Sequence, residues 1–139
     1  MENSSSQSHF DTLDPHILIV EDDSELVESI RYTLKQAGYR VSVAYDGNQG
    51  LAIAESKLPD LILLDLMLPK RSGFLVLERL CQTLKNPIPI IVITASEGRR
   101  HQEYAQMLGA SDYIRKPFVT EQLLTSIATH LNQARTLYT

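Results

Sequence analysis

The chain has 139 residues, of which 43% are apolar and 22% are charged, a balance typical of one globular domain. Its net charge of −4 comes from 17 acidic residues against 13 lysines and arginines, and it argues against a nucleic-acid-binding or membrane-surface protein. A single cysteine excludes an internal disulfide and a multi-cysteine zinc site. No apolar run approaches the roughly 20 residues that a membrane helix needs. We therefore expect a small cytoplasmic domain.

Residues 1–15 are polar, rich in serine and without periodicity, which predicts a disordered N-terminal tail. From residue 16 onward, short apolar runs alternate with stretches of helical period. This alternation predicts one domain over residues 16–134 and a short C-terminal tail over residues 135–139. Runs that are apolar throughout indicate strands buried on both faces, as in a parallel sheet. The five runs lie at residues 17–20, 41–44, 61–64, 90–94 and 113–114.

The stretches between these runs carry apolar residues at helical spacing, and each stripe can cover one face of a sheet. The third stripe includes Cys81, which is therefore predicted to lie in the core. Strands that alternate with amphipathic helices predict an α/β fold, a doubly wound open sheet built from five βα units. The stripes are Leu26, Ile30 and Leu34; Leu77, Leu80, Cys81 and Leu84; and Leu124, Ile127, Ala128 and Leu131.

Polar residues stand at the ends of four of the predicted strands, which is where open parallel sheets bind ligands. Three of the acids would bring a charge of about −3 into one crevice, where like carboxylates repel each other. Mg²⁺ would relieve this repulsion, because it binds a few carboxylates and leaves positions for phosphate oxygens. The strand-end residues are Glu21, Asp22 and Asp23 after the first strand, Asp65 after the third, Thr94 in the fourth and Lys116 after the fifth.

Asp65 is our candidate nucleophile. Carboxylates attack phosphorus and form aspartyl phosphates, and this transfer needs mainly positioning and charge stabilisation. Thr94 would donate its hydroxyl to the bound phosphoryl group, and Lys116 would pair with it. The alternative is that acids after the first strand cap the next helix. Capping accounts for Asp23 as well as function does, but Asp65 precedes no helix start.

Four segments together resemble the receiver domain of two-component response regulators: ILIVEDD, LILLDLMLPKRSG, IVITAS and GASDYIRKPF, in this order. The resemblance covers about residues 16–134. It implies a flavodoxin-like parallel sheet with the strand order 2-1-3-4-5. In that order the reversal falls between the first and third strands, which carry Asp22 and Asp65.

The resemblance implies a metal site and a phosphorylation site. Asp65 would be the phosphoacceptor and a ligand of Mg²⁺, for which Mn²⁺ could substitute. Asp22 would be a direct ligand, Glu21 would act through water, and the backbone carbonyl of Met67 would be a further ligand. The side chain of Met67 is therefore free to vary.

The resemblance also assigns the switching residues. Thr94 and Lys116 would hold the phosphoryl group, and Tyr113 matches the aromatic residue that turns inward as Thr94 engages the phosphate. The bond between Lys116 and Pro117 matches the family's cis peptide. A histidine kinase or a phosphotransfer protein would phosphorylate Asp65. The face formed by the fourth helix, fifth strand and fifth helix would then change shape for an output protein.

Two positions predict a long-lived phosphorylated state. In the resembled family, the residues two beyond the phosphoacceptor and two beyond the threonine flank the attacking water. Here they are Met67 and Ser96, and neither has the acid or amide that would orient the water. We expect no turnover beyond self-phosphorylation and slow self-dephosphorylation.

Three alternative functions fit the residues less well. A phosphatase of the haloacid dehalogenase type would need a second aspartate two residues after the first, where this chain has Met67. A nucleotide-binding domain would need glycines after the first strand, where acids stand instead. A degenerate receiver that only binds partners would lack some of the acids, the threonine or the lysine, and all are present.

The output of such a switch has two interpretations. We favour a stand-alone receiver that acts through protein contacts, and the alternative is the receiver part of a longer DNA-binding regulator. Receivers of winged-helix transcription factors usually carry an arginine in the fifth helix of the dimer face. Asp112 fits that class, but Ser126 stands at the arginine position. A homodimer is therefore a secondary expectation, and neither nucleic acid nor a membrane is an expected partner.

Overall fold

The computed structural model describes residues 14–69, 72–83, 87–95 and 98–137. Over these residues, five strands alternate with five helices. The strands are β1 (His16–Val20), β2 (Arg40–Ala44), β3 (Leu61–Leu64), β4 (Ile90–Thr94) and β5 (Asp112–Arg115). The helices are α1 (Ser24–Gln36), α2 (Gly47–Lys57), α3 (Gly73–Thr83), α4 (Arg99–Leu108) and α5 (Thr120–Leu137).

All strand pairs in the sheet are parallel, and the strand order is β2-β1-β3-β4-β5, which confirms the predicted topology. β1 pairs with both β2 and β3, so the strand order reverses beside it. Val20, the last residue of β1, aligns with Leu64, the last residue of β3. The residues that follow these two strands therefore leave the sheet side by side.

The sheet lies between two layers of helices because its central strands are apolar on both faces. The side chains of β1, β3 and β4 alternate between two buried clusters. One cluster joins Leu18, Ile62 and Val92 to α2, α3 and α4. The other joins the alternate residues of the same strands to α1 and α5. This is the doubly wound arrangement that the uninterrupted aliphatic runs predict.

The first helix begins where its sequence provides a cap. The Asp23 carboxylate accepts hydrogen bonds from the backbone N–H groups of Glu25 and Leu26, at 3.1 and 3.2 Å. These bonds satisfy two amide groups that the first turn of a helix leaves unpaired. The capping interpretation of Asp23 is therefore confirmed. After α1 the chain turns at Gly38, whose φ of 95° suits glycine.

Three details of the sequence analysis need correction or extension. Cys81 is exposed rather than in the core, because it lies beside the buried edge of α3 instead of on it. In α5 the buried stripe runs through Leu123, Ile127 and Leu131, and Ala128 is exposed. Helix α5 also continues three residues beyond position 134.

Two expectations fall on residues that the structure leaves undescribed. The predicted tail lies outside the described residues except for Asp14 and Pro15, and so does Leu84. Among the helices described, none combines the length and apolarity that crossing a membrane requires.

Candidate functional site

Three carboxylates meet at the C-terminal ends of β1 and β3. Glu21 and Asp65 are buried, with 1% and 3% of their surface exposed, whereas Asp22 is exposed. Each of the three offers a carboxylate oxygen, and these oxygens all lie within 4.8 Å of one another. The sequence predicts this cluster, because it places the acids directly after two neighbouring strands.

Backbone hydrogen bonds hold the two buried acids in place. The N–H of Glu21 donates to the carbonyl of Ala44 at 3.0 Å, and the N–H of Asp65 donates to the carbonyl of Val20 at 3.0 Å. Both bonds continue the sheet by one residue beyond the strands. The main chain of both acids is thus fixed by the same hydrogen-bond ladder that holds the strands together.

Lys116 directly follows the edge strand β5, and its side chain completes the cluster. Its Nζ lies 2.6 Å from Oε1 of Glu21 and 3.3 Å from Oδ2 of Asp65. The backbone N–H of Lys116 donates to the carbonyl of Thr94 at 2.9 Å, and the Lys116–Pro117 peptide bond is cis. Neither periodicity nor spacing predicts the short bond to Glu21, since that bond depends on where a long side chain points.

Opposing effects act on the ionisation of this pair. Burial lowers the pKa of Lys116, but the carboxylates of Glu21 and Asp65 outweigh it and raise that pKa above its usual value. Burial raises the pKa of Glu21 above its usual value, and the hydrogen bonds from Lys116 and Asp23 oppose that rise. Glu21 is therefore a carboxylate in an unfavourable environment, and one more nearby cation would stabilise its charged form.

In the loop after β3, the side chain of Asp65 is bonded to the backbone of the turn that follows it. Oδ1 of Asp65 accepts a hydrogen bond from the N–H of Met67 at 3.0 Å, while the Met67 side chain is 62% exposed. Gly73, the first residue of α3, lies against this loop. A Cβ placed on Gly73 would lie 2.3 Å from Cα of Leu66 and 2.6 Å from the carbonyl oxygen of Asp65. Only glycine allows α3 to begin this close to the loop.

The substitution Gly73→Ala should therefore disturb the acidic cluster as well as the fold. The added methyl group must push the Asp65–Leu66 backbone away, and overpacking of this kind costs about 1–3 kcal/mol. We also expect Mg²⁺ affinity, measured by calorimetry, to fall about tenfold or more, as it does when supporting contacts of metal ligands are lost.

Gly38→Ala is the control, since no atom lies within 4 Å of the added carbon there and the substitution strains only the local backbone, whose φ is +95°. It should lower stability and leave Mg²⁺ affinity unchanged. Unchanged Mg²⁺ affinity in Gly73→Ala would show that Gly73 does not position the loop.

The predicted switch residues lie on the neighbouring strands. Thr94 is fully buried at the end of β4, and Tyr113, 9% exposed, lies on β5 opposite Val92. Lys116 connects the two strands through its bond to the Thr94 carbonyl. Ser96, the other residue expected to control lifetime, lies outside the described residues. Gly73 is the positioning residue that sequence reasoning overlooked, although it stands in the quoted segment LILLDLMLPKRSG.

The donor set suits a hard divalent cation. All three clustered side chains offer oxygen atoms, and the group combines two buried carboxylates with an exposed one that water can reach. Mg²⁺ prefers such ligands and keeps several waters. A second property follows from the lysine: the crevice has positive as well as negative groups, so it can accept an anion beside a cation.

The chain matches known proteins in sequence. The family model described as "Response regulator receiver domain" matches residues 17–128. A curated relative, "Transcriptional regulatory protein DltR" of Streptococcus agalactiae, is 42% identical over 118 residues, which are 85% of this chain and 52% of the relative. The chain thus spans about half the length of the curated relatives it matches.

The fold matches solved structures as well. A CheY-like receiver domain protein from Methanospirillum hungatei superposes with a TM-score of 0.84 at 29% identity, covering 88% of this chain and 98% of that one. The BeF3-activated N-terminal receiver domain of Klebsiella pneumoniae RstA gives a TM-score of 0.78 at 31% identity, covering 84% and 97%. With the sheet order, the strand-end acids and the family match in agreement, the chain belongs to the response regulator receiver domain family.

Proposed function

We propose that this chain is a phosphorylation switch whose phosphoacceptor is Asp65. The observation that carries the proposal is a buried carboxylate within reach of a lysine and two further acids, at the topological switch point of a receiver fold. The phosphodonor is the phosphohistidine of a histidine kinase or a phosphotransfer protein, and the cytoplasm is the compartment in which both would meet the chain.

In the proposed transfer, an oxygen of Asp65 attacks phosphorus and forms the acyl phosphate. The bond between phosphorus and the donor's imidazole nitrogen breaks, and the imidazole keeps the electron pair and takes a proton from solvent. Lys116, which already contacts Asp65 at 3.3 Å, pairs with an oxygen of the incoming group. Asp22, Asp65 and the Met67 carbonyl would hold Mg²⁺ directly and Glu21 would hold it through water, and the metal, or Mn²⁺ as a substitute, would supply charge neutralisation during the transfer.

The proposed signal travels through Thr94 and Tyr113. The Thr94 hydroxyl turns toward the phosphoryl group, and Tyr113 repacks into the space beside β4. These movements alter the surface formed by α4, β5 and α5, and an output protein that prefers the altered surface shifts the equilibrium toward it. Phosphorylation of Asp65 and hydrolysis of the resulting acyl phosphate are the only turnover in this scheme.

The proposal is tested with the purified chain, acetyl phosphate and Mg²⁺. Intact-mass measurement should show the addition of one phosphoryl group. The gain should disappear when EDTA removes the metal, and hydroxylamine should release it because it cleaves acyl phosphates. A chain that stays unlabelled, or a label that resists hydroxylamine, would contradict phosphorylation on a carboxylate.

The lifetime of the phosphorylated state can be tested at Met67. Met67→Asn places an amide beside the acyl phosphate, where it can orient a water for attack. We expect the phosphoryl group to be lost at least about tenfold faster, given how strongly rates depend on positioning. Met67→Leu is the control and should keep the slow rate. Equal decay rates in all three proteins would rule out this position as a determinant of lifetime.

A second candidate is the receiver part of a longer DNA-binding regulator. The similarity to a protein named a transcriptional regulatory protein favours it over a stand-alone receiver. An immunoblot of source cells separates the two, since a stand-alone receiver migrates at 15.7 kDa and a longer regulator at about twice that mass. The phosphatase alternative is not proposed, because the chain belongs to the receiver family and has Met67 where that chemistry needs an acid.

A homodimer is not part of the proposal. Asp112, the residue that fits the dimer face of winged-helix regulators, already has partners within its own chain. Its Oδ2 accepts a hydrogen bond from Ser126 Oγ and lies 3.4 Å from Nε2 of His130, and its Oδ1 accepts from the N–H of Tyr113 at 2.8 Å. A partner cation would have to compete with these contacts.

A further inference from the structure

A cavity of about 400 Å³ opens at the edge of the sheet opposite the acidic cluster. It lies where β1 and β2 begin and where α2 ends. In the parallel register His16 pairs with Arg40 and Leu18 with Ser42, which brings the side chains at the start of both strands together. The lining residues are His16, Arg40, Val41, Ser42 and Lys57.

This cavity gathers positive charge without a carboxylate in its lining. Arg40 uses its Nε to donate to the carbonyl of Asp14 at 2.9 Å, which leaves the two terminal nitrogens of its guanidinium group. Within the described part of the chain, no carboxylate forms an ion pair with Arg40 or Lys57. Both side chains can therefore turn toward a ligand without breaking an ion pair.

Lys57 and Arg40 each have an ordinary structural role, but no single role explains why the two cations lie together. Lys57 stands in the last turn of α2, where a cation is favourable to the helix dipole. Arg40 stands on β2, an edge strand, where charged side chains discourage pairing with another sheet. Neither role requires the two cations to share one concave site with an imidazole and a hydroxyl.

His16 connects the charge to the hydroxyl. Its Nε2 lies 2.7 Å from Oγ of Ser42. Burial lowers the pKa of His16, and so do the cations of Arg40 and Lys57, while Asp60 opposes them. The Asp60 carboxylate accepts a hydrogen bond from the backbone N–H of His16 at 2.7 Å. An anion in the cavity would offset the repulsion by the two cations and favour protonated His16.

We propose that this cavity binds a phosphate group as its dianion, either as the free ion or as a phosphomonoester. The guanidinium group of Arg40 can contact two phosphate oxygens at once, and Lys57 adds a second cation. When His16 is protonated, its Nε2–H donates to Ser42, and the Ser42 hydroxyl proton becomes available to the anion. The site is separate from the acidic cluster and does not depend on phosphorylation of Asp65.

Calorimetric titration with inorganic phosphate and with AMP tests this site. The full chain is used without Mg²⁺ or acetyl phosphate, and ionic strength is held constant with chloride because surface electrostatics are screened by salt. Arg40→Gln and Lys57→Gln should each weaken binding about tenfold, the loss typical of one charged hydrogen bond. Lys35→Gln, which removes an exposed lysine from the end of α1, is the matched control and should bind as the parent does.

A second readout is specific to this cavity. The pKa of the His16 ring, followed by NMR, should rise in phosphate relative to chloride, and Arg40→Gln should reduce that rise. Circular dichroism checks that each variant is folded. If Arg40→Gln does not fold, Lys57→Gln still tests the site.

The two ligands distinguish the source of the phosphate group. Binding of AMP at least as tight as that of inorganic phosphate identifies a phosphomonoester site, and binding of inorganic phosphate alone identifies a site for the free ion. Absence of binding, or binding that neither Arg40→Gln nor Lys57→Gln weakens, would overturn the proposal. Such a result would leave the proposal that Asp65 is phosphorylated unchanged.

Discussion

The substitution Asp65→Asn should remove all phosphoryl transfer to the chain. An amide oxygen is a poor nucleophile toward phosphorus, while the shape of the side chain and its burial at the end of β3 are kept. After incubation with acetyl phosphate and Mg²⁺, the intact mass of Asp65→Asn should equal that of the untreated protein.

Asp60→Asn is the control for this experiment, because Asp60 stands immediately before β3 as Asp65 stands immediately after it. An asparagine there can still accept the hydrogen bond from the N–H of His16, so the fold should be unchanged. Asp60→Asn should gain one phosphoryl group as the parent does. A phosphoryl group on Asp65→Asn would place the acceptor elsewhere in the chain.

The substitution Lys116→Met should have the largest effect on stability. It leaves Glu21, 1% exposed, facing Asp65 without the cation that lies 2.6 Å away in the parent. Removing one partner of a buried ion pair costs about 3–5 kcal/mol, because the remaining charge stays buried without compensation. Urea denaturation at neutral pH without Mg²⁺ should show a loss of this size in the free energy of unfolding.

The pH dependence of this loss follows from Glu21. In Lys116→Met the pKa of Glu21 is raised by burial and by Asp65, with no lysine to oppose them, so the folded protein binds a proton more readily than the unfolded one. The destabilisation should be greatest at neutral pH and shrink as the pH falls, because the raised pKa lets Glu21 become neutral in the folded protein before it would in the unfolded one.

Two variants complete this comparison. Glu21→Gln combined with Lys116→Met should recover much of the lost stability, because no charge is then left unpaired at Glu21. Lys35→Met, which removes an exposed lysine, should cost less than about 1 kcal/mol. A similarly small loss for Lys116→Met would mean that the lysine contributes little to the folded state.

The sequence predicts the sheet well because each central strand is a short run of consecutive apolar residues. Leu61–Leu64 and Ile90–Thr94 are buried along their whole length, and a strand with no polar side is compatible only with a sheet covered on both faces. The acids after β1 and β3 follow from the same logic, since parallel strands end at a common edge. Strand boundaries are less predictable: β2 begins at Arg40 and β5 at Asp112, both polar residues that an apolar run does not include.

Helix faces and side-chain directions are harder to predict. Spacings of three and four residues fit two adjacent stripes of α5, and packing against the sheet selects the one that contains Leu123. Cys81 fits the α3 stripe by spacing but lies at its exposed border. The contact between Lys116 and Glu21 joins residues 95 positions apart, and only the completed fold determines which carboxylate the lysine reaches first.

The position of Cys81 offers a practical route to observing the switch. It is the chain's only cysteine, its side chain is exposed, and its thiol faces Gly109 at the end of α4. A maleimide dye or spin label would therefore attach at one place without mutagenesis, beside a helix of the proposed output surface. Burial of part of the residue raises the pKa of the thiol, so labelling should be run at mildly alkaline pH. The native chain thus carries its own attachment point for a spectroscopic reporter.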